Sequence, residues 1–216
     1  GVYAGTIPTE IGMLTSLKSL VFWECTHLTG SIPTEIGFLS HLEYLQIARN
    51  GLLSGSMPSE LGKLSNLTYL DLAKNSLVGS IPPELQHLGQ LEKLFLDGNK
   101  LGGHIPSQIG RLSSLKELNF GGDWIGSKNQ ITGSIPTEVG RLSDLSVMNM
   151  EANRLTGQIP SQLGMLTNLK TVNLYKNSLS GTIPSELALL SNLSWLAVYD
   201  NPILNCTVPF HLNLGC

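Results

Sequence analysis

The side chains that could carry catalysis or bind a metal are scattered through this chain of 216 residues. The histidines share no partner at a fixed offset, and they are His27, His41, His87, His104 and His211. The sequence has no nucleophile elbow, no zinc-type His or Cys spacing and no phosphate-binding loop. We therefore predict no catalytic residue, no metal site and no cofactor, and we expect a protein that is not an enzyme.

Glutamate instead recurs at one position of a regular pattern, at Glu10, Glu35, Glu60, Glu84 and Glu186. This recurrence is too wide for a catalytic pair and indicates solvated residues at the start of short helices. Glycine recurs in the same way, and each of these glycines is followed two residues later by Ile-Pro or Met-Pro. They are Gly5, Gly30, Gly55, Gly79, Gly103, Gly133, Gly157 and Gly181. Such a period indicates a solenoid, in which each unit is stable only when stacked on its neighbours.

The local structure of one unit can be read from its residues. Leu67, Leu70 and Leu72 alternate as in a short strand with one buried face. Pro58 cannot continue a helix, and the apolar residues that follow it suit one or two turns of helix or 3₁₀ structure. Asn75 lies where the chain leaves the strand. Asparagines at this position are expected to bond the backbone of adjacent coils, and they are Asn50, Asn75, Asn99, Asn153, Asn177 and Asn201.

The unit L-x-x-L-x-L-x-x-N-x-L-x-G-x-I-P resembles the repeat of the plant-type leucine-rich-repeat family, over roughly residues 1–205. The resemblance implies an α/β fold, a right-handed solenoid of about eight 24-residue coils. A parallel β-sheet would line its concave side, with 3₁₀ or short helices on the convex side and a second short strand near the repeat glycine. We divide the chain into residues 1–4, the end of a truncated preceding repeat, residues 5–205, the solenoid, and residues 206–216, a C-terminal cap.

The two ends depart from the repeat. The chain begins inside a coil and shows no cysteine-containing N-terminal cap, so we expect a longer parent protein. Cys206 and Cys216 could form a disulfide that closes the last coil, or remain two free thiols. Cys25 occupies an asparagine position, where we predict a small buried thiol.

One repeat is six residues too long, and the extra residues lie within 121–129. Either Asp123 or Asn129 takes the asparagine position there. Insertions in solenoids project from one face and often contact ligands. Trp124 favours such a contact, and a neutral surface loop is the alternative.

Aromatic side chains are concentrated at the strand positions that would face the concave side. Seven of the chain's 13 aromatic residues lie there, namely Trp23, Tyr44, Tyr69, Phe95, Tyr175, Trp195 and Tyr199. Strand propensity alone enriches aromatics in this way. Exposed aromatics with charges of both signs around them are also typical of protein-binding surfaces, and we predict that these residues bind a ligand.

Short hydroxyl side chains flank the repeat glycines, at Thr29, Ser31, Ser54, Ser56, Thr132, Ser134, Thr156, Ser180 and Thr182. Such columns could order water, and some plant repeat proteins of this type bind ice. Val78, Gly102, His104 and Gln158 interrupt the array, and small hydroxyls also suit a crowded second strand.

Charge and sequons indicate the compartment and the partners. The formal net charge of −3 and the isoelectric point near 5.9 argue against a nucleic-acid partner, and no apolar run is long enough to span a membrane. Sequons at Asn66, Asn192 and Asn205 predict N-glycosylation in an extracellular or cell-surface setting, whether the parent is secreted or membrane-anchored. Together these features predict a recognition module that binds a protein or peptide on its concave face. The alternatives are an ice-binding protein and a purely structural extracellular spacer.

Overall fold

A computed structural model of the chain describes residues 5–122 and 128–205. These residues form a stack of coils, each contributing one strand to a parallel sheet of eight strands. The strands follow the chain order across the sheet, with each coil paired to the next. They are β2 (Ser19–Trp23), β4 (Tyr44–Ala48), β5 (Tyr69–Asp71), β6 (Lys93–Phe95), β7 (Glu117–Asn119), β9 (Val147–Asn149), β11 (Thr171–Asn173) and β13 (Trp195–Ala197).

A second set of short parallel strands lies near the repeat glycines and confirms the predicted second strand. The pairs are β1 (Gly5–Thr6) with β3 (Leu28–Thr29), β8 (Thr132–Gly133) with β10 (Arg154–Leu155), and β12 (Ser180–Thr182) with β14 (Ile203–Asn205). Single bridges between coils continue this pairing at intermediate coils, such as the bridge from Ser56 to Val78.

The helical segments of the described coils are 3₁₀ helices of five residues. They are η1 (Thr9–Met13), η2 (Thr34–Phe38), η3 (Ser59–Lys63), η4 (Pro83–His87), η5 (Ser107–Arg111), η6 (Thr137–Arg141), η7 (Ser161–Met165) and η8 (Ser185–Leu189). In η3 the N–H of Leu61 donates to the carbonyl of Pro58 at 3.2 Å, the three-residue spacing of 3₁₀ structure. Adjacent helices pack backbone to backbone, and so closely that a Cβ on Gly62 would overlap the carbonyl oxygen of Glu84.

The core is one continuous column of aliphatic side chains that runs through all the coils. Leu67, Leu70 and Leu72, the strand leucines of the third coil, have no exposed surface. Leu61 and Leu64 close the same coil from the helical side and are equally buried. Since each coil contributes only one layer of such residues, its apolar surface is covered by the coils next to it.

The predicted asparagine ladder is confirmed. Asn75 is buried, its Oδ1 accepts the N–H of Asn50 at 2.9 Å, and its Nδ2 donates to the carbonyl of Ile47 at 2.6 Å. Asn99 accepts from the N–H of Leu77 and donates to the carbonyl of Leu72, and both groups belong to the preceding coil. The ladder therefore satisfies backbone groups that no strand or helix of their own coil reaches.

In the long repeat, Asn129 takes the position of the asparagine ladder. Its Oδ1 accepts the N–H of Leu101 at 3.0 Å, and its Nδ2 donates to the carbonyls of Leu96 and Phe120. These are the contacts made by the ladder residues of other coils. Asp123 and Trp124 lie outside the described residues.

The prediction of a buried thiol at Cys25 is wrong, because this side chain is exposed. Its backbone N–H does join the ladder by donating to Oδ1 of Asn50 at 2.8 Å. The thiol itself turns back toward the carbonyl of Trp23, at 3.7 Å. Cys25 belongs to the coil of β2, the edge strand of the described sheet, so no strand covers it on the other side.

The ladder predicts a large cost for removing one of its members. Asn99→Ala leaves the N–H of Leu77 buried without a partner. It also removes one of the two amide donors to each of the carbonyls of Leu72 and Leu96, which keep Asn75 and Asn129. We expect the free energy of unfolding in urea to fall by about 1–3 kcal/mol. The control is Asn168→Ala, which removes a single exposed hydrogen bond to the carbonyl of Ser143 and should cost under about 1 kcal/mol. Equal losses for the two variants would contradict the role given to the ladder.

Candidate binding surface

The concave sheet presents its outward side chains in rows, because the parallel register aligns equivalent positions of successive coils. In the first row Tyr44 lies beside Tyr69, and Thr171 beside Trp195. In the second row Asp71 lies beside Phe95, and Asn119, Asn149 and Asn173 follow along the sheet. The third row begins with Trp23 beside Ala48. Each row therefore runs across the coils, perpendicular to the strands.

Four of the predicted ligand-binding residues form an N-terminal aromatic cluster, defined as Trp23, Tyr44, Tyr69 and Phe95. The rings of Tyr44 and Tyr69 are stacked, with centroids 4.3 Å apart, and Phe95 meets Tyr69 edge-on at 5.7 Å. Trp23 joins through Arg49, whose guanidinium carbon lies 4.8 Å from the centre of its ring. The ring–ring contacts and the cation–π contact hold these side chains in position without a ligand.

The other three residues form a C-terminal aromatic group, defined as Tyr175, Trp195 and Tyr199. Tyr175 and Tyr199 are stacked with centroids 4.7 Å apart. Trp195 precedes Tyr199 by four residues and is 58% exposed. The structure thus divides the predicted site into two aromatic surfaces at opposite ends of one sheet.

Amide and carboxylate groups fill the sheet between the two aromatic surfaces. Nδ2 of Asn119 donates to Asp97 at 3.0 Å, and Nδ2 of Asn173 donates to the carboxylate of Glu151. Oδ1 of Asn149 accepts the N–H of Glu151 at 3.1 Å. Burial raises the pKa of Glu151, although hydrogen bonds from Asn173 and Asn149 oppose the shift. The centre of the sheet is therefore polar. These hydrogen bonds are made within the protein, but Oδ1 of Asn173 is buried without a partner.

Tyr69 of the N-terminal cluster stays protonated at physiological pH. Burial, followed by the nearby carboxylate of Asp71, raises the pKa of Tyr69 far above its usual value. The hydroxyl of Tyr44 donates to Oε1 of Gln46 at 3.4 Å. Both side chains thus combine an apolar ring with a polar hydroxyl, a combination common at binding surfaces.

The N-terminal aromatic cluster borders a hollow of about 210 Å³ that also reaches Ala48, Ala73 and Asp97. Arg49 and Lys74 lie at its rim. The sequence analysis gave these residues no role. Their shared signal is the pair of alanines at a position where most other coils carry larger side chains.

The remaining predicted site residues lie elsewhere. Asn66 and Asn192 are exposed, and each donates through Nδ2 to a carbonyl of the preceding coil at 2.8 Å. Asn205 is exposed at the end of β14. Cys206 and Cys216, like Trp124, lie outside the described residues, so their pairing remains a prediction.

Residues 5–122 and 128–205, which the structure describes, contain neither a cluster of metal ligands nor a membrane-spanning helix. Within them no group of three His, Cys, Asp or Glu side chains converges as a set of metal ligands. No helix in the same residues has the length and apolar character needed to cross a membrane.

The hydroxyl columns beside the repeat glycines are partly engaged with the backbone. The hydroxyls of Thr29, Ser54 and Thr132 lie within 2.9–3.4 Å of the carbonyl oxygens of Gly5, Gly30 and Gly103. Each joins two coils by a hydrogen bond. These groups stabilise the stacking and are less available to order water.

Models of known families match most of this chain. A model described as a leucine-rich repeat region matches residues 14–158, and a single leucine-rich-repeat model matches residues 168–190. The chain belongs to the leucine-rich-repeat family. Curated protein sequences give no match to it.

Solved structures place this leucine-rich-repeat chain with the plant-type members. It is 39% identical, with a TM-score of 0.84, to the ectodomain of the receptor kinase GASSHO1/SCHENGEN3 from Arabidopsis thaliana, solved with CASPARIAN STRIP INTEGRITY FACTOR 2. It is 36% identical, with a TM-score of 0.81, to the Arabidopsis receptor kinase HAESA, solved with the peptide hormone IDA and the co-receptor SERK1. These matches cover 90% and 89% of this chain but only 23% and 31% of the receptor chains.

A third similar structure belongs to a protein with a different role. It is a plant ice-binding protein, 31% identical with a TM-score of 0.73, and the match covers 91% of this chain and 68% of that one. The leucine-rich-repeat fold is therefore shared between peptide-receptor ectodomains and an ice-binding protein. The fold alone does not distinguish the two roles.

The half-buried carboxylate of Glu151, at the centre of the sheet, gives a test of the site's electrostatics. Glu151→Gln keeps an acceptor for the Asn173 amide but removes the charge, so we expect a higher free energy of unfolding at pH 7. Folding raises the pKa of Glu151 in the wild-type chain, so lowering the pH protonates this carboxyl in the folded state. The difference in free energy of unfolding between Glu151→Gln and the wild type should therefore shrink at low pH. Chemical denaturation at pH 7 and pH 4 measures it. Glu84→Gln, at an exposed site, is the control, and a Glu151→Gln protein less stable at pH 7 would contradict the assignment.

Proposed function

We propose that this chain is a non-enzymatic recognition module that binds a peptide or protein partner across its concave sheet, outside the cell or at its surface. The observation that carries the proposal is the pair of aromatic surfaces on one face of the sheet. Trp23 and Trp195 are 42% and 58% exposed there. Large aromatic side chains that are already positioned lose little entropy on binding and dominate the energy of many interfaces.

The spacing of the two surfaces suits an extended chain. Six strand intervals separate β4, which carries Tyr44, from β13, which carries Trp195. At about 4.8 Å per interval this distance is about 29 Å, which an extended peptide of about nine residues would span at about 3.3 Å per residue. The partner would thus place apolar side chains on Tyr44, Tyr69 and Phe95 at one end, and on Tyr175 and Trp195 at the other.

Two further observations support the partner class and the compartment. The receptor kinases HAESA and GASSHO1/SCHENGEN3, to which the chain is similar, were solved with a peptide hormone and with CASPARIAN STRIP INTEGRITY FACTOR 2, respectively. The sequon asparagines Asn66 and Asn192 are exposed, as glycosylation in the secretory pathway requires. A disulfide between Cys206 and Cys216 is part of the same proposal.

A positional-scanning library of acetylated and amidated nonapeptides tests peptide binding without a known partner. Each pool fixes one residue at one position, and the best pools define single peptides for affinity measurement. We expect Tyr69→Ala and Phe95→Ala each to weaken the best peptide by about 1 kcal/mol or more, because they remove aromatic anchors. Unfolding curves for each variant separate loss of contact from loss of structure.

The matched control is Phe38→Ala, because Phe38 is an exposed aromatic residue at the end of η2, away from the sheet. We expect it to leave the affinity unchanged. The proposal fails if no pool binds the wild-type chain, or if Phe38→Ala weakens binding as much as the concave variants do.

Ice binding is a second candidate, favoured by the similarity to the plant ice-binding protein and by the hydroxyl columns. It requires that the purified chain inhibit ice recrystallisation and that Ser56→Tyr and Ser134→Tyr abolish the inhibition, since bulky side chains would break a flat array. Ser76→Tyr, at an exposed hydroxyl that bonds the carbonyl of Gly51, serves as the control. Absence of inhibition by the wild-type chain would exclude this function.

A further inference from the structure

The hollow beside the N-terminal aromatic cluster exists because two coils have alanine in the third row of the sheet. Ala48 and Ala73 form its floor and are 1% and 8% exposed. Larger side chains, Trp23 and Asp97, stand in the same row on either side. The volume of about 210 Å³ is enough for one side chain of a partner.

The carboxylates that line the hollow already have donors. Asp71 is 6% exposed, and it accepts the N–H of Ala73 at 2.9 Å and Nε2 of Gln46 at 3.0 Å. Asp97 accepts Nδ2 of Asn119 at 3.0 Å. A cationic side chain entering the hollow would have to compete with these amide donors.

The two cations at the rim differ in their partners. Arg49 is 3.2 Å from the carboxylate of Glu24 and also lies over the Trp23 ring. Lys74 is half-buried, and no ion pair to it occurs among the described residues. A partly desolvated ammonium that makes no ion pair favours an additional anion beside it, because the nearby carboxylates of Asp71 and Asp97 are bonded to other donors.

Backbone conformation holds these two cations at the rim. Arg49 and Lys74 have φ angles of 60° and 57°, in the left-handed region that follows seven of the eight strands of the sheet. In the next coil Gly98 takes this conformation, with φ of 65°. Arg49 and Lys74 therefore carry long side chains beside the hollow, at a position where glycine, which has no Cβ penalty there, also fits.

We propose that this hollow binds an acidic side chain of the peptide partner. The methylene groups of an aspartate or glutamate would pack between the alanine floor and the rings of Tyr69 and Phe95, and its carboxylate would pair with Lys74. The inference rests on the proposed function, since it names one residue class within a ligand of the concave sheet. It assigns the N-terminal half of the surface a preference for negative charge at one peptide position.

The peptide library tests this preference directly, because acetylation and amidation leave side chains as the only charges. We expect pools that fix Glu or Asp at one position to bind the wild-type chain about two- to fivefold more strongly than pools with Lys or Arg there. Lys74→Glu should reverse the order at that position. Glutamate is compatible with the backbone, since Glu24 takes the same left-handed conformation with φ of 52°.

The matched control is Lys176→Glu, at the equivalent left-handed position beside Tyr175, with φ of 57°. It should leave the acidic preference at the identified position unchanged. If pools bind but show no acidic preference, or if Lys74→Glu keeps it, this inference fails while peptide binding stands. If no pool binds at all, both the inference and the proposed function fail.

Discussion

Each coil depends on the next one to satisfy its buried backbone, and this dependence underlies every other feature of the chain. The strand edges are bonded through parallel pairing, and the turn after each strand is bonded through the ladder of asparagine side chains. A buried N–H or carbonyl without a partner would cost as much as several apolar contacts contribute. The coils must therefore stack in one register, and the leucines fill the space that this stacking encloses.

Strict register also explains how a repeated sequence can carry a specific surface. Because equivalent positions lie side by side, a change at one repeat position alters a single place in a row and leaves the scaffold intact. The stacked rings of Tyr44 and Tyr69 and those of Tyr175 and Tyr199 arise in this way from residues about one repeat apart. The alanine pair beside Trp23 produces a depression by the same means. Binding chemistry can thus vary freely on the sheet while leucine and asparagine stay fixed beneath it.

Sequence alone predicted the parts of the fold that the period specifies. The strands, the 3₁₀ segments and the ladder follow from the spacing of leucine, asparagine, glycine and proline, whereas the second strands were implied by the resemblance to the plant-type leucine-rich-repeat family. The period could not decide between Asp123 and Asn129, since both follow the fifth strand and only three-dimensional contacts identify Asn129. It also misplaced the thiol of Cys25, because burial depends on having a neighbour on both sides.

Within the candidate surface, the sequence identified which aromatics face the same side but not how they group. Stacking depends on side-chain rotation, which the repeat position does not determine. The hydrogen bonds from the Asn119 and Asn173 amides to Asp97 and Glu151 join side chains from different coils, at positions where the repeat allows any residue. The hollow was missed for a related reason, since an alanine carries no chemical signal until the residues around it are known.

The glycine contacts between 3₁₀ helices have a consequence for the shape of the whole arc. Where Gly62 meets the backbone of Glu84, the coils approach on their outer side as closely as main chains allow. The solenoid bends according to the difference between the coil spacing on its helical side and the coil spacing on its sheet side. A short spacing on the outer, helical side therefore keeps the bend shallow. A methyl group at any of these glycines would open the outer edge and tighten the arc. Curvature is then controlled from the side of the molecule that a ligand on the sheet never touches, and a small angular error there would accumulate coil by coil between the two aromatic surfaces.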